Sequence, residues 1–148
     1  MKKKITFSLL QRMVEVSKKN FIKSTLFSFE IKKLVKDLRV FIIFNNRLKT
    51  TVGQADAITY LEAKKRDDID KRYKRFLVDS SRKFLIIEIN KELSQTQSEK
   101  EVFDTVSHEL AHCVDFVIRG YKSRKKRYHD SYWRTLHKAM GGSGKTTY

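Results

Sequence analysis

The sequence predicts an α+β domain with N-terminal helices, a short mixed sheet, and two later helices that bring a chemical site together. Three observations predict it. Apolar residues recur at helical intervals towards both ends of the chain, compact β-branched runs stand at 39–45 and 84–89, and His108-Glu-Leu-Ala-His112 sits inside the longest helical pattern. With 148 residues, 40% of them apolar, one core can form, so residues 1–140 are read as a single domain and 141–148 as a flexible tail.

In chain order, Phe7, Leu10, Met13 and Val14, then Ile22, Leu26, Phe29, Ile31, Leu34, Val35 and Leu38, predict one broken helix or two consecutive helices over 7–38. Arg39 to Asn45 reads as the first strand, closed by the Asn45-Asn46 turn signal, and 46–53 as a connection. Ala57–Glu62 and Tyr73–Val78 are expected strands, separated by a mixed-charge loop over 64–72 that suits a solvated surface. Phe84 to Ile89 is the clearest strand, ended by Asn90. Proline is absent and no repeat is visible, which leaves no linker and no second domain.

The motif helix has legible ends. Ser98 with Glu101 makes a capping box, Glu99 complements the positive helix start, and Gly120 after Arg119 is a natural stop, so the helix is expected over 99–119. On its wheel Val102, Phe103, Val106, Leu110, Cys113, Val114 and Val117 share the side opposite the histidines, while Thr105, His112 and Asp115 share the histidine face.

His108 and His112, four apart, project side by side with Cβ atoms about 5–6 Å apart, the spacing of a pair of zinc ligands. Glu109 lies beside them, where a carboxylate can take a proton from an activated water. A hydrolytic zinc site uses three protein ligands, and Asp115, His137 and His129 are the candidates for the third. His129 is favoured because it opens a segment in which Trp133, Leu136 and Met140 follow along one helix face. Cys113 falls in the apolar stripe and reads as core rather than as a ligand.

Composition bounds the rest. A net charge of +16 suits a polyanion partner, most often nucleic acid. A single cysteine excludes a disulfide framework and a four-cysteine zinc module, and it suits a reducing, intracellular setting. The apolar run after Met1-Lys-Lys-Lys is too short and too polar for an export signal, and no segment approaches the roughly 20 apolar residues of a membrane span. Neither secretion nor a membrane partner is expected. Between the second and third histidines, Arg119 to Arg127 carries six positive side chains. In it Lys122, Arg124, Lys125, Lys126 and Arg127 are placed to grip phosphates and Tyr121 to stack on an unpaired base, the bland alternative being a solvated loop.

These motifs together carry a resemblance. His108-Glu-Leu-Ala-His112 followed by His129-Asp-Ser-Tyr-Trp133, with Arg47-Leu-Lys-Thr-Thr-Val-Gly53, Ile87-Glu-Ile-Asn90 and Leu93 upstream, resembles the SprT-like zinc metalloproteases, to which the Spartan proteases belong. The similarity covers roughly residues 40–140 and is far more specific than the pentapeptide alone. It implies a small zincin fold, one Zn2+ held by His108, His112 and His129, and Glu109 as catalytic acid/base. It also implies cleavage of proteins on DNA, including DNA–protein crosslinks. The chain shows neither the four-cysteine ribbon of many bacterial relatives nor the long tails of the Spartan proteases, so it resembles a bare, monomeric protease core. The expected partners are DNA, single-stranded or distorted, and DNA-bound protein substrates.

Two rival readings are a DNA-binding protein with structural zinc and a zincin acting on an acidic protein without nucleic acid. A decoy closes the chain: Ala139-Met-Gly-Gly-Ser-Gly-Lys-Thr146 satisfies a loose phosphate-loop pattern but lacks a preceding strand and a following helix.

Overall fold

The computed structural model describes residues 4–48, 50–67, 84–120 and 129–145. Among these the chain forms six helices and three strands: α1 (Phe7–Lys23), α2 (Phe29–Asp37), β1 (Val40–Asn45), β2 (Gly53–Ile58), α3 (Tyr60–Lys65), β3 (Phe84–Asn90), α4 (Lys91–Ser94), α5 (Glu99–Arg119) and α6 (Ser131–Ala139). The two-helix alternative for 7–38 is the one realised. Each helix starts on a side-chain cap, Thr6 for α1 and Ser28 for α2, because the first N–H groups of a helix have no partner within it.

β3 is the middle strand, parallel to β1 and antiparallel to β2. Covered on both faces, it can be apolar without alternation, which explains the run Phe84-Leu-Ile-Ile. One face sends Leu85, Ile87 and Ile89, with Ile42 and Ala55, into the main core built with α1, α5 and α6. The other packs Ile86 with Ile43, Ile58 and Ala63. A fully buried side chain of this size contributes about 1.5–3 kcal/mol.

Glu88 interrupts the second face. Only 1% exposed, its carboxylate accepts from Asn45 Nδ2 of β1 (3.2 Å), from Gln54 Nε2 of β2 (2.5 Å) and from the Arg66 guanidinium just after α3. Buried charge is tolerated only when paired and hydrogen-bonded, and here the pairing ties all three strands together.

Several expectations need correction. Ala57–Glu62 is not a strand throughout: the strand ends at Ile58, and Thr59 caps α3 through a capping box with Glu62. The local cap outweighs the β-branched residues around it. β2 instead begins at Gly53, in a Gly-Gln-Ala-Asp stretch of low intrinsic strand preference that is held by pairing with β3. Asn90 ends β3 as expected, but by capping the short helix α4, with Oδ1 accepting from Leu93 N at 3.1 Å. Val117, expected on the core side, is 44% exposed, whereas its neighbours Phe116 and Ile118 pack against the core. The expected strand 73–78 lies outside the described residues. Among the described residues no helix is long and apolar enough to cross a membrane.

Candidate metal centre

α5 runs over Glu99–Arg119, opened by the Ser98–Glu101 capping box and closed at Gly120, whose φ of 91° a side-chain-bearing residue rarely adopts. The wheel places one apolar face against the core, with Val102, Val106, Leu110, Cys113 and Val114 fully buried. The histidine face is buried as well: His108 is 5% exposed, Glu109 3% and His112 2%. From Thr105 to Phe116 every residue of the helix is inside, so the histidines lie on a second, polar seam between α5 and α6.

Across that seam stands His129, in the turn before α6. The three Nε2 atoms form a near-equilateral triangle, 3.3 Å from His112 to His108, 3.1 Å from His112 to His129 and 3.2 Å from His129 to His108. Two nitrogens bound at about 2.0–2.1 Å to one tetrahedral zinc lie about 3.3 Å apart, so the donor set fits that ion. A neutral imidazole carries one N–H, so three ring nitrogens in mutual contact cannot satisfy one another by hydrogen bonds alone. A cation at their centre would resolve the conflict, and these three residues are the group among the described residues that could hold one.

Burial favours the neutral form of His108 and His129. It is the first cause that lowers the His108 pKa to about 3, with the charges of His129 and His137 adding to it. His129 is also lowered, by burial first and then by Arg134 and His137. Neutral imidazole is the ligating form, so the pocket prepares these two donors before any ion arrives. Trp133, fully buried on α6, forms the apolar wall, its ring centroid 4.6, 5.0 and 4.6 Å from those of His108, His112 and His129. Glu109 Oε1 lies 3.7 Å from His108 Nε2, beside the triangle rather than at its centre.

The other third-ligand candidates are engaged elsewhere. Asp115 holds Arg119, with Nε to Oδ1 at 2.5 Å and Nη2 to Oδ2 at 2.7 Å. His137 is fully buried against Ser107 Oγ (3.0 Å) and the Asp104 carbonyl (3.2 Å). Cys113 lies in the core, its thiol pKa pushed up by burial and then by Glu109, so it stays protonated.

A second network positions His129. Asp130 caps α6, with Oδ1 accepting from Trp133 N at 3.0 Å, and it also accepts from Arg119, whose guanidinium sits 4.5 Å over the Tyr132 ring. Neither this clasp nor the role of Gly53, whose missing side chain lets β2 approach Thr105 and Glu109, was legible in the sequence. The aspartate directly after His129 and the arginine at the helix end were the only local signals. Tyr121, Lys122, Arg124, Lys125, Lys126 and Arg127, read as nucleic-acid contacts, lie outside the described residues.

With that geometry in hand, comparison with protein families finds that the SprT-like family profile matches residues 10–147, essentially the whole chain. Comparison with curated proteins and with solved structures gave no match.

Proposed function

The chain belongs to the SprT-like family, and from that membership and the trihistidine cluster we propose that it is a zinc-dependent endopeptidase of zincin type acting on DNA-bound or DNA-crosslinked proteins. The observation that carries the reading is the convergence of three imidazole nitrogens, 3.1–3.3 Å apart, beside one buried carboxylate. His108, His112 and His129 would hold a single Zn2+, which when bound supplies Lewis acidity towards a carbonyl and lowers the pKa of water.

The chain's own groups do the rest. Glu109, held by its helix next to His108, accepts the proton of the attacking water and returns it to the leaving amine, the work of a general base that becomes a general acid. The Trp133 wall and the burial of α5 keep bulk water away, which strengthens every charge interaction inside. Tyr132 lies under the Arg119 guanidinium and keeps its proton, its pKa raised by burial and then by Asp115.

Support for DNA as the setting of the reaction is electrostatic: the net charge of +16 and the basic stretch 122–127, which in sequence joins the motif helix to His129. The free, buried cysteine suits a reducing compartment.

The decisive experiment is cleavage of a DNA-bound protein with and without single-stranded DNA, comparing the wild type with Glu109→Gln. The variant should retain zinc and lose at least about 100-fold in rate, the low end of what a general base supplies; wild-type turnover by it would end the protease reading. His129→Ala should lose zinc, and full zinc retention would remove His129 from the ligand set. DNA affinity should fall steeply with rising salt, and no binding at low salt would remove DNA from the proposal.

A further inference from the structure

After α6 the chain turns back towards the metal centre instead of leaving the fold. Gly142 N–H donates to the His137 carbonyl at 2.9 Å. Ser143 then engages both oxygens of Asp104, its N–H donating to Oδ1 at 2.7 Å and its hydroxyl to Oδ2 at 2.8 Å. Gly144 N–H donates to His137 Nδ1 at 3.1 Å. With Nδ1 accepting, the His137 proton sits on Nε2, which faces Ser107 Oγ and the Asp104 carbonyl. The backbone of the next residue, Lys145, hydrogen-bonds the ring of His108.

Ser107, His137 and Asp104 have the residue types of a nucleophile relay, but they are not one. Ser107 and His137 are fully buried, and the serine hydroxyl donates to the Asp104 carbonyl at 3.0 Å. The group is an anchor. Its fit also accounts for the glycines of Gly-Gly-Ser-Gly-Lys. A Cβ on Gly142 would come within 2.0 Å of His137 Nε2, and Gly144 has a φ of 78°. The segment that resembles a phosphate loop in sequence has backbone N–H groups of Gly142, Ser143 and Gly144 already committed within the protein.

We infer that Ser143–Lys145 is a strap that supports the metal centre: Asp104 and His137 hold it, and the Lys145 carbonyl accepts from Nδ1–H of His108, turning the Nε2 lone pair towards the ion. Such outer contacts fix the tautomer and orientation of a ligating imidazole, and their loss typically weakens metal binding about 10–100-fold. The inference rests on the metal-binding reading proposed above. It makes His137, Asp104 and the strap positioning residues for His108.

The test uses the full-length chain and four variants, reading Zn2+ affinity by chelator competition, the visible spectrum of the Co2+-loaded protein, and the melting midpoint of the metal-free protein. Gly144→Pro removes the donated N–H and cannot adopt the observed φ. It and Asp104→Ala should raise the zinc Kd about 10–100-fold and shift the Co2+ bands. Asp104→Asn, which keeps an acceptor for Ser143, should recover most of the affinity. Lys36→Ala, on the exposed side of α2, should match the wild type. A folded Gly144→Pro protein binding zinc within about threefold of wild type overturns the strap. If that variant fails to fold, the Asp104 pair decides, and equal zinc affinity for Ala and Asn overturns it. A wild type that binds no zinc defeats the metal reading itself, whereas undiminished binding by all four variants defeats only the strap.

Discussion

Arg119, the last residue of α5, holds Asp130, the residue after His129, through two hydrogen bonds of 2.7 and 2.9 Å. The same guanidinium grips Asp115 one turn back on its own helix. Both carboxylates meet it as a planar fork, a geometry that lysine cannot reproduce. The clasp therefore sets the distance between the helix carrying His108 and His112 and the turn carrying His129.

Arg119→Ala should lower zinc affinity by about tenfold, within the range for outer contacts of a metal site, and Arg119→Lys should fall between Ala and wild type. Chelator competition measures it. Unchanged affinity in the alanine variant would mean that α6 packing alone positions His129.

Gly53 opens β2 against α5. A Cβ there would stand 2.9 Å from Thr105 Cγ2, 3.2 Å from Ile89 Cδ1 and 3.4 Å from Glu109 Cγ. Gly53→Val should destabilise the protein by about 1–3 kcal/mol through overpacking and displace Glu109, so that turnover drops while zinc content is retained. Thermal melts and metal analysis on the same sample check this, and a wild-type melt with full turnover would contradict it.

Acid should destabilise the metal-free protein. Burial lowers the pKa values of His108, His129 and His137 in the fold, that of His108 to about 3, whereas in the unfolded chain they stand at the ordinary 6.5. The folded state then binds fewer protons than the unfolded one below pH 6.5. The stabilisation is complete above that value and is lost progressively as pH falls towards the folded-state pKa. The melting midpoint in chelator should fall from about pH 7 to about pH 5, and a flat midpoint would argue against burial of these rings. Zinc should defer the fall until protons displace it from the imidazoles.

How much of this was legible beforehand follows from the range of the interactions. Helix ends depend on residues three or four apart, so the Ser98–Glu101 box and the stop at Gly120 can be read directly from the chain. The apolar stripe of α5 and the run that becomes β3 are equally local, as is the His108-Glu109-x-x-His112 spacing that places two imidazoles and a carboxylate on one helix face. The Thr59–Glu62 box is as local as the Ser98 one, although the segment 57–62 reads as a strand by sequence alone.

What the sequence by itself determined is therefore the local chemistry: the helices, the central strand and the motif, because each arises from neighbours along the chain. Tertiary structure alone decided which of Asp115, His129 and His137 faces the motif histidines. It made β2 a strand by pairing and turned an apparent tail into contacts with Asp104 and His137. Each of those outcomes depends on residues far apart in sequence meeting inside a core where charge and N–H groups must find partners.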